Sequence, residues 1–316
     1  MNLIKNKLLI VILGVFCIFS IPNSWALESY VGELFKTDKP ITLYTATQAK
    51  EGQIKSVFWE ITDKEEKKHY LFGTIHTDDN RVSNFNPIVL DKLKEIDIFV
   101  METDEILDRS ILQVDSKIYE GRLTEKELEK IYALADFHTM SRESILSMKP
   151  WLLAVIFDSP RPITPFNQDN LLKSKAEDFL KITQGLESPS EHFKVLDLFT
   201  IEEQMSLLKA VLKKDLKQKE DNYESLISAY LSSDVERILE VDSKITKSFI
   251  SEDIWKKMEL YLLTKRNKVF VERIMELMEG NQIFIAVGAS HLSGKTGLLK
   301  QFEEVGFKLK PIQALD

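Results

Sequence analysis

Two short apolar runs, far apart in the chain, constrain the fold most. "DIFVME" (97–102) and "IFIAVG" (283–288) are nearly uninterrupted apolar segments. Such short runs read as strands buried on both faces. The structure-forming segments near each end of the chain are too small to fold alone. Distant parts of the polypeptide are therefore expected to meet in one sheet.

The flanking segments fit that expectation. "SVFWEIT" (56–62) and "HYLFGTI" (69–75) read as two strands joined by the polar turn "DKEEKK". "NPIVLDKLKEI" (86–96) reads as a helix capped by Asn86, with Pro87 at its first position and Val89, Leu90, Leu93 and Ile96 on one face. The order strand–helix–strand up to residue 102 predicts a parallel crossover unit. Residues 105–280 read as mostly helical, with capping-box pairs at Thr124/Glu127 and Thr200/Glu203 and a proline-broken loop "SPRPITPFN". "KITQGLE" (181–187) is a candidate further strand. One long helical pattern runs from Ser251 to Met278 and stops at Gly280. A helix over 297–305, closed by Gly306, and a strand over 307–312 complete the reading. The expected fold class is α/β: a mixed, largely parallel sheet from strands near both termini, with a large helical insertion over about 105–280.

The first residues read as a signal peptide. Lys5 and Lys7 precede the uncharged run "LLIVILGVFCIFSI" (8–21), and "PNSWA" supplies small residues at 24 and 26. Fourteen apolar residues fall short of the ~20 that span a bilayer. Cleavage after Ala26 is expected, leaving a domain over 27–316, exported to the periplasm or medium. The membrane would then matter only through an uncleaved leader. Cys17 is the single cysteine, so the mature chain would hold no disulfide and no thiol chemistry. Losing the two leader lysines takes the formal net charge from −8 to −10. Such an acidic chain, with no concentrated basic patch, is a poor partner for nucleic acid or anionic lipid.

"AVGASHLSGKTG" (286–297) carries two competing motifs. Ala289-x-x-x-x-Gly294-Lys295-Thr296 is close to a phosphate-binding loop, and a strand precedes it as that mechanism requires. Yet only 20 residues follow Thr296, which leaves the rest of a nucleotide domain to precede its own phosphate loop. The other motif is Gly288-x-x-His291, and it has a twin in Gly73-x-x-His76. Both follow buried strands, and sites in open sheets form at the carboxyl ends of strands. The strand "DIFVM" delivers Glu102, then Asp104, at its own carboxyl end. Two imidazoles and one carboxylate make an open metal site of the kind that hydrolyses carbonyl compounds with activated water. His76 and His291 are the expected metal ligands, and Glu102 is either the third ligand or the base that takes the water's proton. The residues leave rivals open: a non-catalytic binding protein for peptide, haem or metal, a metal-free esterase with histidine as base, and the phosphate-loop protein.

At these motifs the chain resembles the TraB/GumN family, which includes the Tiki proteins. "HYLFGTIH", "IDIFVMETD", "SMKPWLLAVIF" (147–157), "QDNLLKSKAEDFLKITQGLES" (168–188), "LTKRNKVFVERI" (263–274) and the closing segment from 283 resemble family segments in the same order. The resemblance implies a fold related to the erythromycin-esterase and ChaN proteins. It also implies a metal-dependent, peptidase-like hydrolase using manganese or cobalt, with zinc possible, and a peptide or small-molecule substrate. It adds Glu187, Arg266 and Asn267 to His76, Glu102 and His291 as site residues. Asn167 stands where the family often has glycine, which leaves Asp169 itself in place. Asn267 lies inside a helix, where asparagine is unfavourable, pointing to a role in the site or a helix-to-strand hydrogen bond. Glu187 could be a ligand, a base or a partner of Arg266. His69 is expected at the surface, His138 and His192 in uneventful polar settings, and Trp59 and Trp151 in the core.

Overall fold

A computed structural model describes residues 55–103, 108–161, 164 and 166–314. The leader expected over 1–26 and Asp104 lie outside these residues. Six strands form one sheet in the order β4-β3-β5-β2-β1-β6. They are β1 (Phe58–Thr62), β2 (Lys68–Thr74), β3 (Ile98–Thr103), β4 (Ile182–Glu187), β5 (Ile283–Gly288) and β6 (Lys308–Ile312). β2, β5, β3 and β4 run parallel. β1 is antiparallel to both β2 and β6. The α/β class and the mixed, mostly parallel sheet follow the expectation, and the last apolar run is inserted between the first ones. The region between β3 and β5 is helical except for β4, which the sequence marked as a candidate strand.

The central strands owe their position to composition. Every residue of β3 is buried, and five of the six residues of β5 are. Phe58, Phe72 and Phe99 crowd around Phe284, with centroids 5.6, 6.4 and 6.0 Å from it. Each such ring contributes on the order of 1.5–3 kcal/mol by leaving water. The helix Pro87–Glu95 begins as expected, with the Asn86 side chain accepting from Ile88 N–H. A second core forms among the inserted helices, where Pro150–Asp158 is apolar all round and Trp151 stacks on Phe193 at 5.7 Å. Gly280 and Gly306 both adopt positive φ, at 77° and 92°, as helix stops require.

Two local expectations are corrected. His69 is fully buried rather than at the surface. Its Nδ1 accepts from Ile283 N–H, and its Nε2 lies 3.2 Å from Asp63 Oδ2. The ring thus ties the start of β2 to the start of β5. The pattern over 251–278 is also not one regular helix. It runs as Glu252–Met258, a π-helical stretch Glu259–Thr264, and Lys265–Met278. Among the described residues no helix is long and apolar enough to cross a membrane.

Candidate functional site

Strand register builds the site. Thr74 pairs with Gly288 across β2 and β5, and Thr103 pairs with Glu187 across β3 and β4. The carboxyl ends of four parallel strands are therefore level. His76 and His291 turn in just beyond two of them, and Glu102 and Glu187 project at the ends of the others. Gly73 is required by close approach. A Cβ there would lie 3.1 Å from the Ala289 backbone and 3.0 Å from Leu292 Cδ2.

His291 is held in one tautomer. The Asn267 Nδ2 group donates to the carbonyls of His291 (3.2 Å) and Thr296 (2.8 Å). Its Oδ1 must then accept, and it accepts from His291 Nδ1. That leaves Nε2 with a lone pair facing the site, 3.3 Å from Arg266 Nη1 and 3.7 Å from Glu102 Oε1. Burial pushes the His291 pKa down to about 4, against the pull of Glu102, so the ring is neutral. Of the two alternatives open to Asn267, the structure shows the hydrogen-bonding one: it bridges its helix to the strand-end loop and holds the His291 ring.

His76 is anchored from the other side. Its Nδ1 is 2.7 Å from Asp169 Oδ2, a close ionic contact in which the ring N–H is not aligned on the oxygen. Burial opposes the charged ring, but the Asp169 carboxylate overcomes it and raises the pKa to about 9. Asp169 also accepts from the Thr74 hydroxyl at 2.7 Å. Next to it, Gln168 Oε1 accepts from Ile75 N–H at 2.8 Å. The helix Gln168–Asp178 supplies both residues, and Asn167, in place of the family glycine, caps it by accepting from Asn170 N–H.

Arg266 is the centre of a buried charge network. Its guanidinium donates to Glu102 Oε2 at 2.7 Å and to Glu187 Oε1 at 2.9 Å, and it packs on the Phe270 ring 4.9 Å away. All three charged residues are almost fully buried. Burial favours protonating Glu102, but the charges facing it hold it ionised, well below the usual carboxylate range. The groups that do so are His291, Arg266 and His76, in that order. Glu102 Oε1 also accepts from Gly288 N–H at 2.7 Å. Burial likewise opposes ionisation of Glu187, but Arg266 and His192 lower its pKa to about 2. Of the roles open to Glu187, the geometry shows that of partner to Arg266.

The donor types match those of a divalent-ion site, although their present placement does not form one. Both imidazoles have Nδ1 turned toward an oxygen partner, as histidines bound to metal through Nε2 do. Gly288 leaves a cradle between them. A Cβ there would lie 3.2 Å from Glu102 Oε1, 3.6 Å from His76 Nε2 and 3.8 Å from the His291 ring. The 3.7 Å between His291 Nε2 and Glu102 Oε1 is close to the ~3.4 Å separating two ligands of a tetrahedral ion with ~2.1 Å bonds. Among the described residues no group of three or more His, Asp or Glu side chains is placed to hold a metal ion, and Arg266 faces two of the three candidates, Glu102 and His291. His76, Glu102 and His291 would hold an ion there only with the guanidinium drawing back from His291.

His192 belongs to the site, contrary to the uneventful setting expected for it. Its Nδ1 is 3.1 Å from Glu187 Oε2 and 3.1 Å from Arg266 Nη2. The signal was present: Ser188-x-x-Glu191 forms a capping box that brings residue 192 back over Glu187. The π-helical stretch before Arg266 had no sequence signal, yet such stretches recur at functional sites because they re-aim the next turn. The phosphate-loop motif has no cradle. Gly294 N–H donates to Glu236, an acidic group where phosphate would need positive potential, and the following helix Leu298–Glu304 starts beyond Thr296.

A largely parallel sheet with a buried His–Glu–Arg cluster at its carboxyl edge defines an α/β protein of the two-Gly-x-x-His type. The TraB/PrgY/gumN family pattern matches residues 57–311, and the chain belongs to that family. No curated protein matches it.

Proposed function

We propose that this chain is an exported, metal-dependent hydrolase of carbonyl substrates, acting on peptides. The supporting observation is the convergence of His76 Nε2, Glu102 and the His291 ring on the cradle at Gly288. His76, Glu102 and His291 are the residues that would bind the ion, manganese or cobalt by resemblance and zinc by donor type. A divalent ion held there supplies a Lewis acid and a bound water acidic enough to ionise near neutral pH. Asn267 and Asp169 aim the two rings. Glu102, strongly ionised and tied to Gly288 N–H, is either the third ligand or the proton acceptor. Arg266 and Glu187 hold Glu102 in place and balance its charge. The test is digestion of a peptide library by residues 27–316, with each metal added back after chelation. Cleavage that needs metal and vanishes in His76→Ala and His291→Ala supports the reading; its absence with every metal defeats it.

One observation favours a second reading. The two histidines have pKa values driven apart, about 9 for His76 and about 4 for His291. At neutral pH that is an acid beside a base, the pairing of a metal-free hydrolase. Cleavage that survives exhaustive chelation and still requires both histidines selects it.

A further inference from the structure

A cavity of about 120 Å³ leads from His76, Arg266 and His291 toward the helix Val235–Lys247. Its walls are mainly apolar, with Ile238, Trp255, Leu262 and Leu263 among them. A volume of that order takes one small apolar group, as an apolar cavity of ~150 Å³ takes benzene. Two carboxylates interrupt the walls, Asp242 and Glu259. Asp242 accepts one hydrogen bond, from the Ser290 hydroxyl at 3.0 Å. Among the described residues no cation pairs with Asp242 or Glu259. The one arginine on the cavity wall, Arg266, is committed to Glu102 and Glu187. Lys247 stands over the Trp255 ring at 4.8 Å but does not line the cavity. Burial pushes the Asp242 carboxyl above its usual range, as expected of a buried carboxyl with no cation beside it among the described residues. A ligand that brings positive charge into this apolar chamber would draw the proton off and be held by the carboxylate.

We propose that Asp242 is the specificity-determining residue of this site, and that the cavity takes a substrate carrying a protonated primary amine next to an apolar group. This rests on the reading of the site as a hydrolase only for the word substrate; recognition of the ammonium group stands on the cavity alone. A polypeptide offers that chemistry at two places, its amino terminus and a lysine side chain. Ser290 joins the subsite to the reactive cluster, since it holds Asp242 and precedes His291. An amine bound at Asp242 would thereby register a neighbouring carbonyl against His291 and Arg266.

Calorimetric titration of residues 27–316 tests this without turnover. Leucine amide presents the amino-terminal amine, Nα-acetyl-lysine amide the side-chain amine, and 4-methylpentanamide is the neutral counterpart of leucine amide. At least one amine probe is expected to bind tenfold or more tightly than 4-methylpentanamide, and which one binds identifies the source. Asp242→Asn is expected to remove that preference while leaving 4-methylpentanamide binding unchanged. Leu263→Lys, on a partly exposed part of the wall, places a competing ammonium in the cavity and is expected to weaken amine binding likewise, should the first variant melt early. Equal binding of amine and neutral probes, no binding of any probe, or an amine preference that survives a folded Asp242→Asn overturns the proposal. If the probes discriminate but no peptide is cleaved, the hydrolase reading fails and the amine subsite stands. If cleavage depends on His76 but amines are not preferred, the reverse holds.

Discussion

Gly288→Ala separates stability from site chemistry. Gly288 has φ −52° and ψ 135°, a conformation open to any residue, so alanine meets no backbone strain. Its N–H bond to Glu102 survives the change. Replacing glycine at a compatible position stabilises by about 0.4–1 kcal/mol through the unfolded chain. Against this, the new methyl lies 3.2 Å from Glu102 Oε1, a few tenths of an ångström too close. Such mild overpacking costs roughly 1 kcal/mol, at the low end of inserted-methyl penalties. The two effects nearly cancel, so the melting temperature should move by no more than about 2–4 °C. The cradle itself is filled, with the methyl 3.6 Å from His76 Nε2. Manganese binding by equilibrium dialysis and peptide cleavage should each fall about 100-fold or more, equivalent to roughly 2.7 kcal/mol. Wild-type melting together with metal binding and cleavage within threefold of wild type would refute the claim that the space above Gly288 is the reaction centre. A variant that fails to fold would refute the packing argument.

Metal loading should depend on pH through His76. Its pKa of about 9 means that a proton occupies the ring at neutral pH and must leave for an ion to bind. Apparent affinity should rise about tenfold per unit between pH 6 and 9 and level off above, read by dialysis; a flat profile removes His76 from the ligand set. Arg266→Met leaves Glu102 and Glu187 buried without their cation and should cost about 3–5 kcal/mol at neutral pH in denaturant unfolding. In the native protein Glu187 is held at about 2, below its unfolded value, so its contribution is present at neutral pH and is lost as pH falls from about 4.5 to 2. Gly73→Ala should destabilise by about 1–3 kcal/mol, because its methyl meets the Ala289 backbone at 3.1 Å as well as the more yielding Leu292 side-chain tip at 3.0 Å. Lys295→Ala should leave cleavage within twofold of wild type, whereas loss of nucleotide binding in that variant would restore the phosphate-loop alternative.

Much of the site was legible because its residues follow strands. Apolar runs without periodicity located β3 and β5, and the candidate residues Glu102 and His291 stand at or just past their carboxyl ends. Asn267 was legible as an unfavourable residue within a helical pattern, and it proves to fix the His291 tautomer. His192 was missed although a capping box follows Glu187, since a histidine in a polar stretch looks ordinary until the turn folds it back. His69 was misplaced because a strand's first residue is often exposed, whereas here the neighbouring β5 covers it. The π-helical stretch and the position of Asp242 on the cavity wall left no trace in local composition.

The sequence by itself determined which segments are strands, where the chain turns and which side chains stand at strand ends. Those choices follow from local hydrophobic pattern, capping and backbone freedom. Only the tertiary structure decided that β5 lies between β2 and β3, that Arg266 bridges Glu102 and Glu187, and that His76 is charged while His291 is neutral. Protonation and pairing depend on burial and on charges a few ångströms away in space, and those neighbours are contributed by residues tens to hundreds of positions apart along the chain.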